Sequence, residues 1–262
     1  MNNLEMKMID TLKDLKENHH VLGVKAEFEA EGTRLEEALR LKEVVTKAGL
    51  ELTIKIGGCE AIKDMYDART IGVNTIVAPM IESPYAVSKY LKAAKIAFPD
   101  DERNQVKFLI NIETKYGLQY LEEILRSDFA LHLSGIVFGR TDMTGSMGMT
   151  NDDVDCEKIF ELANRAAILT QKYKKELVMG GAVTAASLPF FRKLPGGSVS
   201  RYETRKIIFD SAALNDKNAD KGIIKAFEFE KLWIKNKRNY YERISHEDDG
   251  RIEVLEARAR LH

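Results

Sequence analysis

Short apolar runs rich in β-branched residues alternate along the chain with longer stretches of amphipathic helical spacing. The runs cover residues 21–29, 52–58, 74–82, 106–113, 134–142, 177–184 and 198–206. The helical stretches include residues 33–50, 85–98, 117–125 and 156–175. Successive runs start roughly 20 to 45 residues apart, the length of a strand with a crossover to a parallel neighbour. The pattern therefore predicts a βα-repeat protein.

Polar residues that close the predicted strands decide between two βα-repeat architectures. Against a nucleotide-binding doubly wound sheet, the turn after the first run reads AEFEAEGT rather than GxGxxG, and GxxxxGK[ST] does not occur. The closing residues are Glu27, Glu29, Lys55, Glu82, Glu113, Asp142, Arg201 and Arg205. In a barrel these strand ends converge on one mouth. We expect a TIM-type (βα)8 barrel with an N-terminal helix over residues 1–210, and a helical extension over 211–262. Only seven strands are visible, so one is irregular or missing.

Charge and composition narrow the functional class. Of 262 residues, 40 are basic and 41 acidic, and the formal net charge of −1 argues against nucleic-acid or polybasic membrane binding. Hydrophobic residues make up 44% of the chain, enough for a substantial core. Cys59 and Cys156 have no CxxC partner, the N-terminus is charged, and no apolar stretch approaches a membrane span. We expect a globular cytoplasmic protein that acts on a small molecule.

Three segments carry a resemblance to a known family. They read IVAPMIESPYAV (76–87), FLINIETKYGLQYLEEIL (108–125) and LSGIVFGRTDMTGSMGM (133–149). Over roughly residues 21–210 the chain resembles the HpcH/HpaI aldolase and citrate lyase β-subunit family, whose barrels bind pyruvate, oxaloacetate or phosphoenolpyruvate. The resemblance implies that Glu113 and Asp142 bind a divalent metal. It also implies that Lys55 stands where the family has an arginine that binds pyruvate.

Two carboxylates indicate a metal site on physical grounds as well. Glu113 and Asp142 end adjacent predicted parallel strands, so they lie close enough to share one hard cation such as Mg²⁺ or Mn²⁺. Such a cation would stabilise the enolate of a 2-oxo acid that chelates it. Backbone N–H groups of the turn formed by Gly139, Arg140 and Thr141 would hold the substrate carboxylate. The alternative is that both acids cap helices at strand–helix junctions.

Lys55 and two glutamates are the candidate catalytic residues. Lys55 would orient the substrate as a point charge or form a Schiff base; the alternative is a solvated lysine at a strand end. The resembling aldolases place a histidine base after the first strand, where this chain reads EFEA at residues 27–30. A buried Glu27 or Glu29 with a raised pKa would then serve as the base. Ion pairs of these glutamates with neighbouring lysine or arginine are the structural alternative.

Three functions fit these residues. The leading hypothesis is a metal-dependent carbon–carbon lyase or aldolase acting on a 2-oxo acid or a phosphoenolpyruvate-like substrate. The second is a transferase on an acyl-CoA or phosphoenolpyruvate substrate, and the third is a barrel that binds such an anion without turnover. Arg201 and Arg205 are candidates for binding a distal carboxylate or phosphate, unless they pair with Glu203 at the surface.

Residues 221–262 combine a broad apolar face with many charges. The face consists of Ile223, Ile224, Phe227, Leu232, Trp233 and Ile234. The resemblance implies that C-terminal helices pack against or exchange with a neighbouring subunit, so we expect a homo-oligomer with Trp233 as an interface anchor. The alternative is that this segment covers its own barrel.

Overall fold

The computed structural model describes residues 1–260 and forms a closed barrel of eight strands. The strands are β1 Val21–Glu27, β2 Glu51–Lys55, β3 Thr75–Ala78, β4 Lys107–Ile112, β5 Gly135–Gly139, β6 Glu176–Gly180, β7 Arg201–Glu203 and β8 Ile207–Asp210. Each strand from β1 to β6 pairs in parallel with the next. The predicted TIM-type barrel is confirmed.

Helices surround this barrel and follow most of its strands. They are α1 Asn3–His19, α2 Leu35–Lys47, α3 Ile62–Ile71, α4 Pro84–Ala97, α5 Asp100–Arg103, α6 Lys115–Gln119, α7 Leu121–Arg126, α8 Arg140–Ser146, α9 Glu157–Lys172, α10 Leu188–Lys193 and α11 Ala219–Ala259. Side-chain caps start some of them close behind the strand ends: Thr114 Oγ1 accepts the Gly117 N–H at 3.0 Å and so begins α6. No helix within residues 1–260 combines the length and apolar character that a membrane span requires.

The eighth strand explains why only seven apolar runs are visible. The pattern predicts a single strand over 198–206, but β7 ends at Glu203 and the chain turns through residues 204–206 into β8. β8 runs antiparallel to β7, with Tyr202 opposite Phe209, and also antiparallel to β1. Because three residues replace the usual crossover helix, the spacing that separates the other strands is missing here.

The helix pair α1 and α11 covers the barrel beside β1. α1 ends just before β1 and buries Met8 and Leu12. α11 packs along α1 and buries Phe229 and Trp233 on its inner side. Trp233 is therefore buried within its own chain and is not available as an interface anchor, and this half of the C-terminal segment covers its own barrel. The reason is that α1 offers an apolar face along the first half of α11.

A small apolar cluster lies inside the barrel below its mouth. Val77, Leu109, Val137 and Val178 come from β3 to β6 and form a cluster of their own, separate from the larger core between strands and helices. Side chains of alternating strand positions point to the barrel axis, which is why each of these four strands contributes one residue to the cluster. The barrel is thus a packed core below its mouth.

Replacing Leu109 with alanine should lower the free energy of unfolding by about 2–5 kcal/mol, because this buried side chain loses its apolar contacts and leaves a cavity. Urea unfolding followed by circular dichroism measures the change. Leu131, with 79% of its surface exposed, offers the control, and Leu131→Ala should change stability by less than about 0.5 kcal/mol. Equal effects of the two variants would contradict a tightly packed cluster.

Candidate active site

Six polar side chains meet inside the barrel at the carboxyl end of the strands. They are Lys25, Glu27, Lys55, Asn111, Glu113 and Glu203. Every second side chain of a strand points to the same side, and the apolar cluster of the barrel lies directly beneath these positions. The cluster therefore lies at the mouth, where barrel enzymes carry their active sites.

Lys25 provides a fixed positive charge on one side of the mouth. Its Nζ lies 2.6 Å from Glu203 Oε1 and 3.1 Å from Glu27 Oε1. Burial by itself would lower the pKa of Lys25, but the two carboxylates outweigh burial and raise that pKa. Lys25 therefore stays protonated at neutral pH and neutralises part of the acidic lining.

Glu27 is held as a carboxylate by the same contact. Burial by itself would raise the pKa of Glu27, but Lys25, and more weakly Lys55, bring the pKa below its ordinary value. The raised pKa expected for Glu27 is thus not found, and the ion-pair alternative describes this residue. A carboxylate with a lowered pKa is a weak proton acceptor at neutral pH.

Lys55 is the cation at the centre of the mouth. Its Nζ lies 2.8 Å from Glu29 Oε2 and 3.5 Å from Glu113 Oε2, and its side chain is only 8% exposed. Burial opposes the charge, but Glu113 and Glu29 raise the pKa of Lys55. Lys55 is therefore not a solvated lysine, and its raised pKa disfavours a Schiff base, which needs a neutral amine.

Glu113 is fixed by donors on both of its oxygens. Oε1 accepts the Met80 N–H at 2.9 Å, and Oε2 accepts Asn111 Nδ2 at 2.6 Å. Met80 adopts the left-handed region with φ of 51°, an uncommon conformation for a non-glycine residue, and thereby presents its N–H to the carboxylate. Gly139 lies beside it, where an added Cβ would come within 2.8 Å of Oε2. Glu113 therefore holds one defined orientation next to the end of β5.

Asp142 lies in the first turn of α8 and is exposed. Its side chain makes neither a hydrogen bond nor an ion pair with any other residue between 1 and 260. In that same part of the chain, no group of three or more histidine, cysteine or acidic side chains is arranged to hold a metal ion. The protein donors for a cation at the mouth are thus at most two carboxylates, and Asp142 also occupies the position of an ordinary first-turn acid.

The Arg140 side chain is fully buried and packs against the rings of Phe190 and Phe191 in α10. It donates to the carbonyl oxygens of Gly180 at 3.1 Å and Gly181 at 2.7 Å, and it pairs with Asp155. The Arg140 side chain is therefore not available to a substrate. Gly181, with φ of 85°, packs directly against the backbone at this point, because a Cβ there would lie 2.6 Å from Arg140 N and 2.5 Å from Thr141 N.

The two candidate arginines lie at different ends of the barrel. Arg201 begins β7 rather than ending it, and it pairs with Glu176 in a cavity of about 570 Å³ at the amino end of the strands. The expected position of Arg201 at the mouth is therefore wrong, because the strand is shorter and starts later than the pattern predicts. Arg205 lies in the β7–β8 turn, half exposed, with Nε 3.7 Å from Glu31 Oε1.

Five residues at or beside the mouth were not predicted as site residues: Lys25, Asn111, Glu203, Glu31 and Lys206. Asn111 lies two positions before Glu113, so strand alternation was the available signal. Lys206 is buried against Glu31, and the indole ring of Trp233 lies 5.9 Å from its Nζ. No local pattern marks it, because its burial depends on the β7–β8 turn.

The fold and the charged mouth define a barrel enzyme of the lyase or aldolase type. A family model described as HpcH/HpaI aldolase/citrate lyase matches residues 26–186, more than half of the chain. The protein belongs to this family, as the resemblance of its motifs predicted.

Solved structures with the same fold agree with this assignment. An HpcH/HpaI aldolase from Desulfitobacterium hafniense DCB-2 is 14% identical with a TM-score of 0.61, covering 84% of this chain and 88% of that chain. Citrate synthase SbnG is 12% identical with a TM-score of 0.61, covering 88% and 90%. A family protein from Burkholderia cenocepacia J2315 is 14% identical with a TM-score of 0.57, covering 74% and 89%. These identities show the fold alone, and no curated protein matches the sequence.

The contact between Glu27 and Lys25 predicts an acid-sensitive contribution to stability. Because the folded-state pKa of Glu27 is lowered, the contribution is present above the ordinary value of 4.5 and is lost as the pH falls through the folded value. Glu27→Gln should therefore flatten the decline of unfolding free energy between about pH 6 and about pH 3. Urea unfolding at each pH measures it, with the exposed Glu161→Gln as control. Parallel curves for wild type and Glu27→Gln would contradict the assignment.

Proposed function

We propose that this enzyme is a metal-dependent carbon–carbon lyase or aldolase acting on a 2-oxo acid, pyruvate-like or oxaloacetate-like, or on a phosphoenolpyruvate-like substrate. The observation that carries the proposal is the contact between the Lys55 ammonium and the fixed Glu113 carboxylate at the mouth. The Glu113 carboxylate can bind a metal ion and the Lys55 ammonium can bind an anion. This combination suits a substrate that presents a carboxylate and a keto oxygen together. Family membership supports the reaction class.

The donor chemistry of the mouth fits Mg²⁺ or Mn²⁺. Oε1 of Glu113 accepts one N–H and so keeps a free lone pair, whereas Oε2 accepts from both Asn111 Nδ2 and Lys55 Nζ. The Asp142 carboxylate has no side-chain partner within residues 1–260, and the buried Asn111 Oδ1 has no hydrogen-bond donor. Two carboxylates, with water and substrate oxygens, are a usual environment for Mg²⁺. A cation held by Glu113 and Asp142 would act as a Lewis acid for negative charge that develops on the substrate.

Lys55 binds and orients the substrate carboxylate in this proposal. Of its two partners, Glu113 is almost fully buried, whereas the Glu29 side chain is 29% exposed. A substrate carboxylate that enters from solvent would therefore replace Glu29 rather than Glu113. The backbone N–H groups of Gly139, Arg140 and Thr141 remain predicted contacts for the same carboxylate, and Arg205 for a distal acidic group.

Glu29 is our proposed base, because the other candidate, Glu27, forms an ion pair with Lys25. Glu27 is held by Lys25 with a lowered pKa, whereas Glu29 becomes free when substrate takes its place on Lys55. In the cleavage direction it would accept the proton of the substrate hydroxyl while the adjacent carbon–carbon bond breaks, and it would return that proton in the synthetic direction. The transferase alternative uses the same residues, and no observation favours it.

Homo-oligomer formation and a cytoplasmic location also belong to the proposal. The second half of α11, from Glu242 to Ala259, is exposed throughout, which supports a further interface. The ligand that we propose for the mouth is a small molecule. The near-zero net charge of the chain gives no support for nucleic-acid binding.

Asp142→Asn should weaken Mg²⁺ or Mn²⁺ binding at least about tenfold while the fold stays intact, because one of two charged ligands is lost. Calorimetric titration of wild type and variant with either cation measures this loss. Asp152→Asn, at another exposed acid nearby, is the matched control and should bind like wild type. Unchanged binding in Asp142→Asn would rule out this ligand pair.

Lys55→Ala should weaken pyruvate binding at least about tenfold, because a charge-assisted hydrogen bond is lost. Lys55→Arg keeps the charge and should bind pyruvate at least as well as wild type. Calorimetry in the presence of Mg²⁺ distinguishes the two variants. Borohydride trapping of a pyruvate adduct on Lys55 would overturn the proposed role in favour of a covalent mechanism.

A further inference from the structure

The outer face of α11 carries an apolar stripe that no part of residues 1–260 covers. Phe227 and Ile234 are seven residues apart, and Leu255 follows after three further repeats of seven. Ile224 and Ile252 share a second position of the same repeat, and all five side chains are exposed. Apolar residues at two positions of a seven-residue repeat are typical of a helix that pairs with another helix.

The exposed half of α11 also needs a partner for its own stability. From Glu242 to Ala259 every residue is exposed, so this arm lacks tertiary packing within residues 1–260. It contains Ser245 and Gly250, both weaker helix formers than alanine. Isolated helices of this length are marginal in water, because most helix stability in proteins comes from packing.

Charges within the stripe determine the direction of the partner helix. Lys231, Arg238 and Asp248 occupy the same two repeat positions as the apolar residues. In a parallel pair of two copies, each of these residues would face its own counterpart, which places like charges together at three levels. A parallel pairing is therefore disfavoured.

An antiparallel pair of two copies gives complementary contacts instead. With Ile224 opposite Leu255, the same register places Phe227 opposite Ile252 and Lys231 opposite Asp248. Each apolar end of one helix thus contacts an apolar end of the other, and Lys231 faces the opposite charge of Asp248.

We propose that α11 pairs with α11 of a second copy of this chain as an antiparallel, two-fold symmetric interface with Ile224 opposite Leu255. The overlap spans roughly 48 Å at 1.5 Å per residue. A two-fold axis presents the same surface on both copies, so each stripe covers the other completely. The proposal rests on the homo-oligomer proposed above and is independent of the proposed reaction.

Cysteine cross-linking tests the register without using substrate. In a Cys59→Ser/Cys156→Ser background, the double variant Ile224→Cys/Leu255→Cys should form a disulfide-linked dimer under mild oxidation. Each single variant, Ile224→Cys or Leu255→Cys, should remain uncross-linked, because its cysteine faces a different residue. Efficient cross-linking of either single variant would indicate a parallel pair, and a double variant that stays uncross-linked would also overturn the proposal.

Charge reversal tests the same interface by its electrostatics. Lys231→Glu and Asp248→Lys should each raise the dimer dissociation constant at least about tenfold, and the two changes together should restore it. Sedimentation equilibrium measures the constant, and circular dichroism checks that the barrel remains folded. Failure of the double variant to recover, or a wild type that is monomeric at all accessible concentrations, would refute the pairing. Neither readout depends on activity, so the proposed reaction is tested separately.

Discussion

Charge neutralisation at the mouth of the barrel is the constraint on which the rest of the site depends. Two lysines, Lys25 and Lys55, are almost completely removed from water, and a buried cation is tolerated only when carboxylates lie beside it. Each lysine therefore has two acidic partners within 4 Å. These contacts fix the ionisation of Glu27 and the orientation of Glu113, and so decide which side chains remain free to meet a substrate.

The β7–β8 hairpin is the second feature that shapes the site. Because β8 returns without a crossover helix, its turn brings Arg205 and Lys206 to the rim of the mouth. The chain then leaves the barrel at the amino end of the strands, and α11 runs back along α1 towards the mouth. The short β7–β8 turn therefore accounts both for the cationic rim and for the position from which the long helix α11 starts.

A mouth whose lysines are all paired must change its contacts if a substrate carboxylate is to bind there. Lys55 has one buried partner, Glu113, and one partly exposed partner, Glu29. Breaking the buried Lys55–Glu113 pair would cost free energy, because it would leave a buried charge without a partner. Glu29, which is partly exposed, can exchange with an incoming carboxylate. In the proposed function this asymmetry in exposure sets the order of events: Glu113 would stay in place, and Glu29 would be released into the mouth.

The sequence by itself determined the repeat, the barrel and the positions of Lys55 and Glu113, because strand alternation and strand-end acids are local patterns. It also predicted Asp142 in a turn directly after β5. Only the tertiary structure decided which charges meet: that Glu29 contacts Lys55, that the Arg140 side chain is buried beside Asp155, and that Arg201 lies at the opposite end. Local spacing fixes which side of a strand a residue occupies, whereas charge partners come from strands brought together by barrel closure, over sequence separations that no periodicity encodes.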